Sequence, residues 1–271
     1  MPCTLSFSGL PEFRTDITSA PSILATSSNI GRDIAEKLSD LGYDIILVGR
    51  NNERLQKTAD SLKTKSYIIS SDLSDKNACL ELYQNVQGIA NEDDLEIVIN
   101  NAGFGLFGEF NNTNINTELN MIDTNITALH ILTKLFLNDF IKKDRGYILN
   151  VASSAAFMPG PLMATYYSTK AYVLRLTQAI AMELRQSGSN VYIGALCPGP
   201  VNTSFNNTAG VKFAIKGLKS ADVASYAVKK MFKKKTVIIP GTTMKLGKFG
   251  LRFLSDRLAA KVAYNIQRSK G

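Results

Sequence analysis

The chain has 271 residues, 45% hydrophobic and 20% charged, an ordinary balance for a globular protein with a full core. Its net charge of +8 invites nucleic acid as a partner, but no aromatic-interleaved basic motif and no zinc-finger spacing occurs, so none is expected. Cys3, Cys79 and Cys197 are widely separated and odd in number; they fit neither a disulfide framework nor a metal site, and a reducing cytoplasm is the expected compartment.

Residues 1–20 read as an N-terminal extension. MPCTLSFSGLPEFR lacks a basic start followed by an apolar core, so no signal peptide is expected, and no apolar run reaches the roughly 18–20 residues of a membrane span. From 21 to 240, short β-branched runs alternate with helical-period segments, the pattern of a parallel sheet with crossover helices. The expected strands are 22–26, 44–48, 66–70, 95–100, 147–152, 191–196 and 236–239. Together they predict one doubly wound, Rossmann-type α/β domain of about seven parallel strands, with helices on both faces.

The first strand runs into ATSSNIGRDIAEKL, a turn opening a helix over 31–41 with Ile34, Ala35, Leu38 and Leu41 on one face. Such a junction offers backbone N–H groups and a helix N-terminus to a pyrophosphate, here from Ser27, Asn29, Ile30 and Gly31. About twenty residues on, an NAD site carries an acid for the ribose 2′-hydroxyl. This chain has Gly49 and Arg50 instead, and a guanidinium can bind a 2′-phosphate, so NADP(H) is expected over NAD(H). Arg32 is expected to add to that field.

Asp72 and Leu73 follow the third strand, at the height of an adenine, and NNAG (Asn100, Asn101, Ala102, Gly103) follows the fourth. A long helix is predicted over 116–140, with Leu119, Ile122, Ile126, Leu129 and Leu132 or Thr133 as its stripe and His130 as a packed helix residue. Ser153 closes the fifth strand. Thirteen residues later Tyr166 opens YYSTK, in a helix over 165–187 that puts Tyr166 and Lys170 on one face. A lysine beside a tyrosine favours the phenolate and makes an acid/base pair for an alcohol or carbonyl oxygen.

CPGPVNT spans Cys197 to Thr203, and a variable segment over 206–220 with Phe213, Ile215 and Leu218 suits an apolar carbonyl or alcohol substrate. The remainder, 241–271, is a basic tail: a turn and then an amphipathic helix with Leu251, Leu254, Leu258 and Val262 opposite Arg252, Arg257 and Lys261. Two readings stand for it, a helix packed on the core or a subunit contact, and a weak contact with an anionic membrane surface.

From about 21 to 240 the chain resembles the short-chain dehydrogenase/reductase family of the classical type, through Asp72–Leu73, NNAG, Asn125, Ser153, YYSTK and CPGPVNT in family order and spacing. The resemblance implies a homodimer or homotetramer with Tyr166 as proton donor and Ser153 bonding the reacting oxygen. It further implies that Lys170 holds the nicotinamide ribose and Asn125 keeps a water on the proton path. Pro198, Gly199, Val201 and Thr203 would close over the carboxamide. The family turn T-G-x-x-x-G-x-G reads Leu24 to Gly31 here, and only Gly31 keeps its glycine. Asn29, the residue type most at ease with positive φ after glycine, is expected to carry the turn. The alternative reading is a weak or inactive scaffold or sensor with a degenerate nucleotide turn.

Overall fold

The computed structural model describes residues 22–26, 29–90, 95–202 and 217–268. Strands β1 (Ser22–Thr26), β2 (Asp44–Gly49), β3 (Ser66–Ser70), β4 (Leu95–Asn100), β5 (Tyr147–Val151), β6 (Tyr192–Leu196) and β7 (Val237–Ile238) pair in parallel in the order 3-2-1-4-5-6-7. β2 explains why the sheet must be covered twice. Ile45 and Leu47 join one core and Ile46 and Val48 the other, all fully buried, because successive side chains leave opposite faces.

Helix α1 (Asn29–Ser39) covers the first face with Ile34, Ala35 and Leu38, packed against Val223, Ala224 and Ala227 of α7 (Ser220–Phe232). On the second face lie α3 (Lys76–Ile89), α5 (Leu129–Lys142) and α6 (Ala164–Gln186), with Cys79, Leu82, Phe136, Phe140 and Leu184 at its centre. The short α2 (Asn52–Ala59) follows β2 and is capped by the Asn51 side chain on Arg54 N–H at 2.8 Å. Strand order reverses between β1 and β4, and ligands of open α/β sheets bind in the crevice beyond such a point.

The helix predicted over 116–140 is α4 (Ile115–Ile122), a π-helical turn Asp123–Ala128, and α5. The wider turn shifts the face, so a stripe read at one period across it drifts. Leu119 is accordingly half exposed, and α4 buries Glu118 and Met121 instead. His130 is exposed rather than packed, with Nδ1 2.7 Å from the Tyr172 hydroxyl.

The tail forms two helices where one was expected, α8 (Thr242–Leu251) and α9 (Asp256–Arg268). α9 meets the body through Ala259, Ala263 and Gln267, while Leu258 and Val262 stay 46% and 39% exposed. Small side chains let this helix approach closely, which a leucine stripe would prevent. Among the described residues no helix is long and apolar enough to cross a membrane.

A buried polar network fixes the strand ends. Asn100 Nδ2 donates to Asn150 Oδ1 (2.8 Å) and Thr133 Oγ1 (3.0 Å), and Asn150 Nδ2 donates to Thr177 Oγ1 (3.0 Å). It ties β4 to β5, α5 and α6, the elements that carry the cleft. Asn150→Ala removes a buried hydrogen bond from each of Asn100, Thr133 and Thr177, at about 1 kcal/mol each. We expect the melting temperature to fall by about 5–10 °C; an unchanged melting curve would show that the network contributes no stability.

Candidate active site

A cleft of about 530 Å³ runs along the C-terminal ends of the strands, from Asp72 at one end to Lys170 at the other. Asn29 and Ile30 line it from the first turn of α1, so the positive end of the helix dipole lies at the cleft. Asn29 is the first helical residue, not a residue of positive φ, because the helix begins two residues before the expected Gly31. Gly31 is buried in that first turn, while Leu24 and Ala25 lie in β1 opposite Ile46 and Leu47. Ser27 and Thr203 lie outside the described residues, as do Phe213 and Ile215.

Arg50 sits at the end of β2 with its side chain 65% exposed and Nη1 3.5 Å from Asp72 Oδ2. Burial raises the Asp72 carboxyl, but hydrogen bonds from the Ser74 N–H and hydroxyl, with the Arg50 charge, outweigh it and hold the group below the usual range. Arg54 lines the same end of the cleft; sequence reading passed over it, although it follows Arg50 at helical spacing. Arg32 is committed elsewhere, 2.8 Å from Asp33 and 3.6 Å from Glu36.

In the middle, Asn101, Ala102 and Gly103 bring the β4 loop against the long helices. A Cβ at Gly103 would stand 2.8 Å from Asn125 Oδ1 and 3.2 Å from Lys170 Nζ, so only glycine fits. Asn125, fully buried in the π-helical turn, accepts the Phe104 N–H (3.0 Å) and donates to the Phe104 carbonyl (2.9 Å) and Thr169 Oγ1 (3.0 Å). It thereby clamps the loop to α6, next to the pair Tyr166 and Lys170.

Tyr166 is 8% exposed and Lys170 4%. The Tyr166 hydroxyl shares a hydrogen bond with Ser153, whose oxygen also accepts the Ala155 N–H (3.1 Å) at the start of a short 3-10 turn, Ser154–Phe157. Burial pushes the phenol up to about 12, more than the Ser153 bond offsets. Burial also pushes the Lys170 ammonium down to about 8; its Nζ donates to the Val151 carbonyl (2.8 Å) and lies 6.0 Å from the Tyr166 ring centre. The phenol therefore lies above its ordinary value, where a lowering beside the lysine was expected. Both groups are buried, and desolvation is the largest cause of each shift.

Pro198, Gly199 and Val201 form the third wall. Val201 bridges to Leu218, and Asn202 N–H donates to the Leu218 carbonyl at 3.0 Å, which pins this loop. A Cβ at Gly199 would lie 2.7 Å from the Met244 side chain, so glycine lets α8 rest on the loop. Gln267 completes the cleft: 1% exposed at the end of α9, it donates to the Tyr167 hydroxyl. The only trace of this in the sequence is its spacing behind Ala259 and Ala263 on one helical face.

A doubly wound parallel sheet with this cleft at its reversal point defines a Rossmann-type α/β fold. The chain belongs to the short-chain dehydrogenase/reductase family, whose short chain dehydrogenase model matches residues 22–212. It is 34% identical over 211 residues to an uncharacterized oxidoreductase of Staphylococcus epidermidis, covering 76% of this chain and 89% of the relative. Among solved structures it is similar to a short-chain dehydrogenase from Sphingobium yanoikuyae in complex with NADPH, with TM-score 0.75, 26% identity, and coverage of 88% and 99% of the two chains. It is also similar to the bulky-bulky ketone specific alcohol dehydrogenase from Comamonas testosteroni, with TM-score 0.72, 25% identity, and coverage of 87% and 94%.

Proposed function

We propose that the protein is an NADPH-dependent oxidoreductase that interconverts an apolar carbonyl and its secondary alcohol, with Tyr166 as the proton donor. The observation that carries the reading is the convergence of Tyr166, Ser153 and Lys170, with Asn125 buried behind them, at one end of a cleft whose other end carries Arg50 and Arg54. The donor set fits a dinucleotide. The α1 N-terminus would hold the pyrophosphate, Arg50 and Arg54 a 2′-phosphate, and Lys170 a ribose, with Gly103 leaving room for close backbone approach. A bound nicotinamide supplies hydride chemistry that no side chain offers.

The protein's own part is proton delivery and shape. With its phenol raised to about 12, Tyr166 is protonated at neutral pH and ready to donate to a developing alkoxide, while Ser153 bonds the same oxygen. Phe104, Met163 and Tyr167 wall the substrate end, and Gln267 adds one polar group, which suits a mostly apolar molecule. The ketone named for the Comamonas enzyme supports that substrate class. A scaffold has no use for a lysine held 4% exposed, since burying its charge lowers stability; this favours the enzyme over the inactive alternative. The exposed apolar side chains Ile115, Leu119 and Met182 on α4 and α6 support a homodimer or homotetramer.

The Arg50–Asp72 pair is exposed, and such pairs contribute about 0–1 kcal/mol, so the guanidinium can turn to a phosphate at little cost. NADPH should raise the melting temperature more than NADH does, and Arg50→Glu should weaken NADPH binding about tenfold or more while sparing NADH. Equal shifts by both nucleotides, unchanged in the variant, would refute the assignment of Arg50. No shift with either would refute the cofactor.

A further inference from the structure

We propose that α8 and α9 together form a docking surface for an anionic lipid bilayer. α8 is held to the body by one side only: Met244 lies against Gly199, Lys248 Nζ sits 5.0 Å from the Phe157 ring centre, and Lys245 Nζ 5.3 Å from that of Tyr226. Its other side points outward, with Leu246 71% and Phe249 59% exposed, and Phe253, in the turn just after the helix, is 74% exposed. Leu246 and Phe249 stand three positions apart on one helical side, and the Phe253 ring meets Phe249 edge to face at 5.3 Å, so the three form one apolar patch. On α9, Leu258, Val262 and Ile266 recur at helical spacing and form a second apolar strip, each about two-fifths exposed.

Charge selects the partner. Besides Lys245 and Lys248, which lie over rings of the body, residues 241–268 carry four exposed basic side chains, Arg252, Arg257, Lys261 and Arg268, against one acid, Asp256. A second copy seated on this face by a two-fold axis would oppose two patches of the same sign, which repel. An anionic bilayer instead neutralises the cations and takes up the exposed phenylalanines.

The surface is joined to the cleft. α8 rests on the Pro198–Gly199 wall, and Gln267 of α9 reaches Tyr167. Docking therefore brings lipid next to the walls of the cleft. That an apolar substrate enters from the bilayer rests on the proposed function; the docking itself does not.

The test is sedimentation of the full chain with vesicles of phosphatidylcholine, with and without phosphatidylglycerol, alongside light scattering for mass. The protein should pellet with the phosphatidylglycerol vesicles at least about tenfold more strongly than with phosphatidylcholine alone, and less as salt rises. Phe249→Glu with Phe253→Glu should remove the difference and keep the wild-type melting curve and NADPH-induced shift. If that variant does not fold, Arg257→Glu with Lys261→Glu on α9 replaces it, with the same expectation. Failure to pellet would overturn the proposal, as would pelleting indifferent to lipid charge. A loss of mass in the variant without any vesicle binding would overturn it too, in favour of a second copy. A loss of NADPH response in the wild type would strike the proposed function and leave docking standing.

Discussion

Tyr166→Phe should reduce turnover about a thousandfold while leaving nucleotide binding and the fold intact, because it removes one oxygen and keeps the ring. That oxygen bonds Ser153 at the Lys170 end of the cleft, and burial keeps its proton in place at neutral pH. The neighbouring Tyr167 separates proton donation from mere aromatic bulk. Its hydroxyl accepts from Gln267 on α9, so Tyr167→Phe should alter substrate KM and keep most of kcat. If Tyr166→Phe retains activity, or both variants lose it equally, the proton donor is misassigned. Kinetics under saturating nucleotide, with thermal melting as a folding control, decide the matter.

Lys170 carries the second large effect. Its ammonium, lowered to about 8 by burial, is charged below that pH and neutral above it. Reduction should therefore hold steady through neutral pH and fall above about 8, and Lys170→Met should be about a hundredfold slower and lack that limb. The sign of the stability effect is equally defined. The folded-state value lies below the ordinary 10.5, so the native state binds fewer protons than the unfolded chain between about 8 and 10.5. Stability from this group is present above that window and lost as pH falls through 8. Lys170→Met should thus melt higher than wild type at neutral pH, and the gap should close as pH rises toward 10.5. A pH–rate profile identical in the two proteins would remove Lys170 from the mechanism.

The sheet was legible because each strand is a short apolar run bounded by turn residues, and β2, with four buried aliphatics in succession, can only be a strand covered on both sides. The clustering of Ser153, Tyr166, Lys170 and NNAG followed from their places at strand ends and at helical spacing. What the sequence withheld is what depends on packing. The π-helical turn that seats Asn125 leaves no mark in a hydrophobic stripe, so Leu119 was put on the wrong side. The direction of the Tyr166 shift could not be read, since adjacency to Lys170 is visible in a sequence and desolvation is not. Gln267 lies 100 residues from Tyr167, and only the docking of α9 through alanines brings the two together. The helix start at Asn29 shows a subtler limit: residue preference gave it a left-handed turn, whereas the chain had already entered α1.

The most direct test of the central claim follows NADPH consumption by the purified full chain across a panel of ketones graded in bulk and polarity. Ketone-dependent oxidation of NADPH is expected, faster with apolar than with charged ketones, forming the matching secondary alcohol and falling about a thousandfold in Tyr166→Phe. NADPH oxidation that is independent of added ketone, or that persists undiminished in Tyr166→Phe, would contradict it.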